Sequence, residues 1–237
     1  MDNRPFHLRH FSLYHHRSTM KVGTDSVILG AWVSTKQVTT VLDVGSGCGI
    51  LALMMAQRTN AQIVAVELDE PSAREAEENF TASQWRNRLT VENQDFVSFA
   101  NTSTNKYDLI ISNPPFFNSV FKTKDHRRNL ARHIDTLNFE ELVANAIKLL
   151  NPIGIFAVVL PIPESKQITQ IATDHGLHIV RRLDIIPVEG REPNRCNLEF
   201  GFSKPITSST EQLIIRNKDG GFTRSYHEML RPYYLGL

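Results

Sequence analysis

Cysteines are scarce in this sequence, and long apolar runs and metal-binding spacings are missing from it. The two cysteines, Cys48 and Cys196, show neither a disulfide framework nor metal-ligand spacing, and the nine histidines form no metal-binding pattern. The longest apolar stretches, such as residues 154–160, are far too short to span a bilayer. The N-terminus also lacks the apolar segment of a secretory signal. These absences predict a cytoplasmic protein with no membrane association and no metal.

The net charge excludes a globally basic nucleic-acid binder, because it is only +1. The basic residues are nevertheless clustered. One short stretch, opposed only by Asp125, contains Lys122, Lys124, Arg127, Arg128 and Arg132. A second basic group opens the chain and consists of Arg4, His7, Arg9, His10, His15, His16 and Arg17. Such patches suggest an anionic partner.

Apolar, β-branched runs alternate with helical patterns along most of the chain. Strands are predicted at residues 40–44, 62–66, 89–91, 107–112, 153–160, 177–183 and 196–202. Helices are predicted at residues 50–58, 72–80, 139–150 and 165–175. This alternation predicts an α/β fold with a mainly parallel, doubly wound sheet, whose ligands bind beyond the carboxyl ends of the strands.

A glycine-rich turn follows the first predicted strand and opens a helix. The turn contains Gly45, Gly47 and Gly49 after Asp43, and the next strand ends in Glu67, which is placed to accept hydrogen bonds from ribose hydroxyls. The dinucleotide fingerprint Gly-x-Gly-x-x-Gly is excluded by the glycine spacing, and a P-loop is excluded because no phosphate-binding lysine follows.

The pattern Asp-x-Gly-x-Gly-x-Gly over residues 43–49 resembles motif I of class I S-adenosylmethionine-dependent methyltransferases. The resemblance extends over roughly residues 20–203. It implies a Rossmann-like sheet of seven strands with an antiparallel last strand, S-adenosylmethionine as cofactor and S-adenosylhomocysteine as product. The positions of the first and last predicted strands divide the chain into an N-terminal cover segment of the same domain (1–37), a cofactor-binding catalytic domain (38–205) and a C-terminal extension (206–237).

The same resemblance assigns the remaining cofactor residues. Glu67 corresponds to the ribose-binding acid, and Asp95 to the residue that meets the adenine amino group. Met20 to Asp25 resembles the upstream motif that closes over the methionine end, with Lys21, Thr24 and Asp25 as cofactor residues. Two structural alternatives stay open, because Asp95 could occupy a solvated turn or cap a helix, and Thr24-Asp25 could form an ordinary helix N-cap.

The segment Asn113-Pro114-Pro115-Phe116 follows the fourth predicted strand and suits an acceptor amino group. An aromatic amino nitrogen is a poor nucleophile, so it needs acceptors that draw its lone pair out of the ring plane. The Asn113 side-chain oxygen, which would also lie beside the cofactor, and the Pro114 carbonyl can serve as those acceptors. The two prolines restrict the backbone and preorganise it. Phe116 offers an apolar face for stacking a base.

Several methyltransferase families share this acceptor motif. Protein glutamine methyltransferases usually carry Tyr at the position of Phe116 and a separate N-terminal helical domain, and guanine-N2 rRNA enzymes are often longer. A non-catalytic RNA-binding module with a vestigial cofactor site is a further alternative, although intact Asp43, Glu67 and Asn113 argue against it. The sequence is most similar to the bacterial tRNA1(Val) adenine-37 N6-methyltransferase family through residues 11–13, 20–32, 43–49, 113–117, 195–202 and 233–235.

That family resemblance implies methyl transfer to an adenosine in a tRNA anticodon loop. The basic stretch at residues 122–132 directly follows the acceptor motif, so its cations are candidate RNA phosphate contacts. Four arginines could extend the same surface, namely Arg181, Arg182, Arg191 and Arg195. Each of these residues could equally belong to a solvated face. The oligomeric state is not readable from the sequence.

Overall fold

The computed structural model describes residues 4–115, 138–206 and 209–236. Its centre is an eight-stranded sheet with the spatial order β10-β8-β9-β7-β6-β3-β4-β5. The strands are β3 (Thr40–Val44), β4 (Gln62–Val66), β5 (Leu89–Glu92), β6 (Tyr107–Ser112), β7 (Leu150–Pro161), β8 (His178–Val188), β9 (Arg195–Gly201) and β10 (Ser209–Arg216). A separate two-stranded sheet pairs β1 (Phe6–His7) with β2 (Ser12–Leu13).

All seven strands predicted from the sequence lie in this sheet. Strands β3 to β7 pair in parallel, and β9, the seventh of the predicted strands, is antiparallel to both β7 and β8. The mostly parallel, doubly wound fold is therefore confirmed. The prediction of seven strands needs one correction, because β10 from the C-terminal segment adds an eighth strand parallel to β8.

Helices cover both faces of the sheet. Successive strand side chains point to opposite faces, so each face carries apolar residues that a layer of helices buries. One cluster joins alternate strand residues such as Val41 and Leu109 to α1 (Thr24–Trp32), α2 (Ile50–Arg58), α3 (Glu70–Ala82) and α7 (Arg224–Leu230). The other joins residues such as Leu42 and Ile110 to α4 (Phe96–Thr102), α5 (Phe139–Leu149) and α6 (Ile162–Asp174). A 3₁₀ turn (Arg86–Arg88) lies between α3 and β5.

The two ends of the chain pack together on the first of these faces. Leu8 forms an isolated antiparallel bridge with Tyr234, and Arg9 donates from its side chain to the carbonyls of Arg231 and Tyr234. Leu13, Leu230 and Tyr233 are buried in the same cluster as α1 and α2. The division at residues 37 and 205 stays a prediction. No helix in the described ranges is long and apolar enough to cross a membrane.

Candidate active site

Three neighbouring strands end at one edge of the sheet, each one residue before a predicted site residue. Val44 of β3 is the register partner of Val66 in β4 and of Ser112 in β6. The next residues along the three strands are Gly45, Glu67 and Asn113. The Ser112 hydroxyl donates to the Val44 carbonyl at 2.8 Å and ties β6 to β3 at this edge. Parallel pairing thus brings the glycine turn, the acidic residue and the acceptor motif together.

The glycine turn combines a left-handed backbone with open space. Gly45, Gly47 and Gly49 have φ angles of 69°, 55° and 84°, which residues with a Cβ adopt only with strain. A Cβ built on Gly45 or Gly47 would meet nothing within 4 Å, whereas one on Gly49 would lie 2.4 Å from the Phe80 ring. The first two glycines therefore leave room for a ligand against the backbone, and the third permits close packing of α2 on α3.

Asp43 links the strand before the glycine turn to the helix after it. Its side chain is fully buried, and Oδ2 accepts a hydrogen bond from the backbone N–H of Ala52 in α2 at 3.0 Å. Burial and, to a smaller extent, the nearby Glu67 carboxylate raise its pKa to about 7, against the lowering effect of the Ala52 hydrogen bond. The second oxygen, Oδ1, has no hydrogen-bond partner in the described structure. A buried acceptor without a partner is energetically costly.

Glu67 is held by backbone donors on both of its oxygens. Oε2 accepts from Gly47 N at 2.7 Å, and Oε1 accepts from Asp69 N at 2.8 Å. Burial raises the pKa of this carboxyl group. Because a carboxylate has about four lone-pair sites, Glu67 keeps acceptor capacity for a ligand hydroxyl beside these backbone donors. Leu68, the next residue, is 46% exposed and offers an apolar contact that the sequence analysis missed.

Asp95 is the N-cap of helix α4. Its Oδ1 accepts from Ser98 N at 2.9 Å, and hydrogen bonds from Ser98 lower the pKa of this carboxyl group. The helix-cap alternative is therefore confirmed. The contact with an adenine amino group stays a prediction. Asn93 keeps this turn close to Glu67, because its Nδ2 donates to the Glu67 carbonyl at 2.8 Å.

The amide nitrogen of Asn113 is hydrogen-bonded, whereas its amide oxygen has no partner among the described residues. Nδ2 donates to the Ser26 hydroxyl at 2.8 Å, whereas Oδ1 is buried without a hydrogen-bond partner in the described part of the chain. Pro114 is buried and Pro115 is partly buried beside it. Phe116 lies outside the described residues. The contact with Ser26 could not be found from the sequence, because the two residues lie on separate elements.

The upstream motif begins α1 but does not cap it through Thr24 or Asp25. The N-cap is Gly23, which makes no side-chain hydrogen bond, so the N-cap alternative for Thr24-Asp25 is wrong. Lys21 and Thr24 are exposed. Asp25 pairs with Arg195 of β9, with 3.3 Å between Oδ2 and Nε. A cofactor role for these three side chains stays a prediction.

The segment that leads into this motif is fixed to α3 by side chains that the sequence analysis missed. Glu75 is fully buried, and it accepts from the backbone N–H groups of Arg17 and Ser18, both at 2.9 Å. These donors lower its pKa against the opposing effect of burial. Asn79 accepts from Tyr14 N and donates to the Tyr14 and Cys48 carbonyls, so it joins this segment to the glycine turn.

Most of the predicted basic surface is either outside the described residues or already paired. Lys122, Lys124, Arg127, Arg128 and Arg132 all lie outside the described residues. Three of the four additional arginines form ion pairs within the fold: Arg181 with Glu199 and Glu211, Arg182 with Asp184, and Arg195 with Asp25. In the N-terminal basic group, Arg17 contacts Glu78 and Glu75, and His16 contacts Glu75.

Comparison with known proteins identifies the family. The methyltransferase small domain family matches residues 17–165. A tRNA1(Val) (adenine(37)-N6)-methyltransferase from Bacteroides fragilis is 39% identical over 233 residues, which cover 98% of each chain. The corresponding protein from Tolumonas auensis is 40% identical over 239 residues and covers 100% of this chain and 99% of its own. This chain belongs to the tRNA1(Val) (adenine(37)-N6)-methyltransferase family.

The solved structures support the fold. A protein described as a predicted O-methyltransferase from Agrobacterium tumefaciens superimposes with a TM-score of 0.63 at 16% identity, and it covers 88% of this chain and 96% of its own. The family and the fold make this chain an S-adenosylmethionine-dependent methyltransferase. The site fits that cofactor, because the open faces of Gly45 and Gly47 and the carboxylate of Glu67 lie at the same strand ends as the acceptor motif.

Proposed function

We propose that this protein methylates the exocyclic N6 of an adenosine in a tRNA anticodon loop, at position 37 of tRNA1(Val), in the cytoplasm. The observation that carries the proposal is the buried Oδ1 of Asn113, which has no partner in the described residues and lies one residue beyond β6, the strand that pairs with the strand leading into the glycine turn. An acceptor in this position suits an amino group, which carries two N–H donors. The names of the full-length relatives supply the choice of tRNA and base.

The residues around the glycine turn would hold the cofactor. Glu67 would accept hydrogen bonds from the ribose hydroxyls, and the open faces of Gly45 and Gly47 would let the ligand approach the backbone. Asp95 would accept from the adenine amino group, Leu68 would contact the base, and the segment from Lys21 to Asp25 would close over the methionine end. S-adenosylmethionine, when bound, supplies a methyl group already activated by its sulfonium centre.

The acceptor motif would prepare the adenosine amino group as a nucleophile. The lone pair on N6 is delocalised into the ring, so hydrogen bonds from its N–H groups to Asn113 Oδ1 and the Pro114 carbonyl favour a pyramidal nitrogen. The bound cofactor would supply the methyl group from its sulfonium centre, and Asn113 Oδ1 and the Pro114 carbonyl would keep the nitrogen oriented until its surplus proton leaves to solvent. Pro114 and Pro115 donate no backbone hydrogen bonds and fix their own φ angles, so the acceptors are preorganised.

An anticodon-loop base suits this site because it is already unpaired. Presenting such a base costs less than extruding one from a duplex. Phe116 would stack on the base, and the cations at residues 122–132 would contact the surrounding phosphates. These roles rest on the sequence, since both segments lie outside the described residues.

Methyl-labelled S-adenosylmethionine with unmodified tRNA1(Val), and in parallel with rRNA and with a protein fraction, provides the direct test. We expect the label in N6-methyladenosine at position 37 after nuclease digestion and nucleoside analysis. Label in N2-methylguanosine, or in glutamine of a protein fraction, would replace the proposal with one of the two enzymatic alternatives. Binding of tRNA without cofactor affinity would favour the non-catalytic alternative.

Asn113→Ala tests the role of the acceptor. We expect the variant to lose transfer by on the order of 10²-fold or more while its affinity for S-adenosylmethionine, measured by calorimetry, stays close to that of the wild type. Asn60→Ala is the matched control, because Asn60 is exposed just before β4 at the opposite edge of the sheet. Loss of cofactor affinity in Asn113→Ala would contradict the assigned role.

A further inference from the structure

Among the described residues, one side chain from another element contacts the acceptor amide of Asn113. Its Nδ2 donates to Ser26 Oγ at 2.8 Å, and Ser26 is only 6% exposed. Ser26 lies in the first turn of α1, immediately after the upstream motif. The other end of the amide, Oδ1, has no partner within the described ranges. The contact therefore fixes the nitrogen side of the amide and leaves the oxygen side for a ligand.

Helix α1 is itself held against the sheet at both ends. Near its start, Asp25 pairs with Arg195 of β9 at 3.3 Å. Just after its end, the backbone N–H of Ser34 donates to the buried carboxylate of Glu199, also in β9, at 2.6 Å. Val27, Ile28 and Leu29 between these contacts are fully buried. Ser26 is therefore presented to Asn113 by a helix whose position is fixed.

The orientation of the amide decides whether Asn113 can help an amino group. Its oxygen accepts hydrogen bonds, but its nitrogen only donates them. A rotation of 180° about the last side-chain bond would place an NH₂ group against the N–H groups of the substrate. The two ends of an amide are nearly equal in shape, and a serine hydroxyl can both donate and accept, so Ser26 anchors the inner end of the amide while the N–H groups of the substrate favour an oxygen at the outer end.

We infer that Ser26 is a positioning residue for methyl transfer, which keeps the Asn113 nitrogen turned toward α1 and its oxygen turned toward the acceptor amino group. The inference rests on the proposed role of Asn113, and it assigns Ser26 no contact with the substrate. Removing the hydroxyl leaves the inner end of the amide without a partner, so the side chain can rotate and its oxygen is held less often toward the acceptor amino group. The loss falls on kcat rather than on cofactor binding.

Ser26→Ala tests this with Ser83→Ala as the matched control. Ser83 is also poorly exposed and its hydroxyl donates to the Phe80 carbonyl at 2.8 Å, but it follows α3, away from Asn113. We expect Ser26→Ala to lower kcat about tenfold, the size of one neutral hydrogen bond. The Kd for S-adenosylmethionine and the Tm should change no more than in Ser83→Ala. Ser26→Cys, which keeps the size but offers only a weak acceptor, should lie between wild type and Ser26→Ala.

A second readout does not use activity. In protein labelled with ¹⁵N-asparagine, the side-chain NH₂ signals of Asn113 are identified by their loss in Asn113→Ala. We expect them to shift and to exchange faster with solvent in Ser26→Ala but not in Ser83→Ala. Unchanged signals would overturn the inference whatever the substrate. Changed signals with an unchanged kcat, measured on whichever acceptor the wild type methylates, would overturn it as well. Failure of the tRNA assay alone would reject the proposed function and leave this comparison intact.

Discussion

The buried carboxyl group of Asp43 couples the stability of the fold to pH. Burial raises its pKa from 3.8 to about 7. Each tenfold change in proton affinity is worth ~1.4 kcal/mol, so the ionised form costs the folded protein about 4 kcal/mol. The folded state binds this proton more tightly than the unfolded state does. The cost is therefore absent below pH ~4 and grows until the pH passes the folded pKa.

Asp43→Asn removes this titration and keeps an oxygen that can accept from Ala52 N. We expect the free energy of unfolding of the variant, relative to that of the wild type, to be about 2–3 kcal/mol higher at pH 8 than at pH 5. Urea unfolding at both pH values, without cofactor and followed by circular dichroism, measures this difference. Asp174→Asn, which changes an exposed aspartate at the end of α6, is the matched control. A difference in free energy of unfolding between Asp43→Asn and the wild type that stays the same at both pH values would refute the reasoning.

Three further experiments test the packing around the site. Gly49→Ala should destabilise the fold by about 2–4 kcal/mol in urea unfolding, because it adds a Cβ at φ 84° against the Phe80 ring. Gly45→Ala should cost only about 1 kcal/mol of stability and mainly weaken cofactor binding in calorimetry, because its Cβ would meet open space. Equal losses of stability in the two variants would contradict this. Glu75→Ala should expose residues 4–19 to limited proteolysis, because two backbone N–H groups lose their acceptor; an unchanged cleavage pattern would show that the segment is held by other contacts. Arg181→Met should lower the free energy of unfolding by about 3–5 kcal/mol, because it leaves the Glu199 carboxylate buried without its cation. Adding Glu199→Gln should recover part of that loss. If the stability losses of the two single variants simply add in the double variant, the two side chains are not coupled.

The sheet and the cofactor edge could be predicted because their signals are local. Each buried strand appears as a short apolar run, and the glycine turn, Glu67 and Asn113 each follow such a run directly. Parallel pairing then brings consecutive strand ends to one edge without further information. Helix α2 was predicted with the bounds Ile50–Arg58 that the structure shows, because its apolar run begins at the last glycine of the turn.

The supporting contacts could not be predicted because they join residues that are distant in sequence. Ser26 and Asn113 are 87 residues apart, and Tyr14 and Asn79 are 65 apart. Glu75 belongs to the polar part of an amphipathic helix, where the pattern indicates a solvated face, yet it is fully buried. Strand β10 was missed because its sequence mixes polar and apolar residues, as expected for an edge strand that is only partly buried.

The charge pattern shows why residue type alone is a weak guide to a nucleic-acid surface. Arg181 was a candidate RNA contact, but its guanidinium lies 4.4 Å from the centre of the Trp32 ring and pairs with two carboxylates. Arg195 pairs with Asp25 at the start of α1, the helix that ends at Trp32. Since these cations secure the helix that presents Ser26, substituting them would reduce methylation even if RNA never touched them. Loss of activity in an arginine variant therefore indicates an RNA contact only when the salt dependence of tRNA binding falls with it.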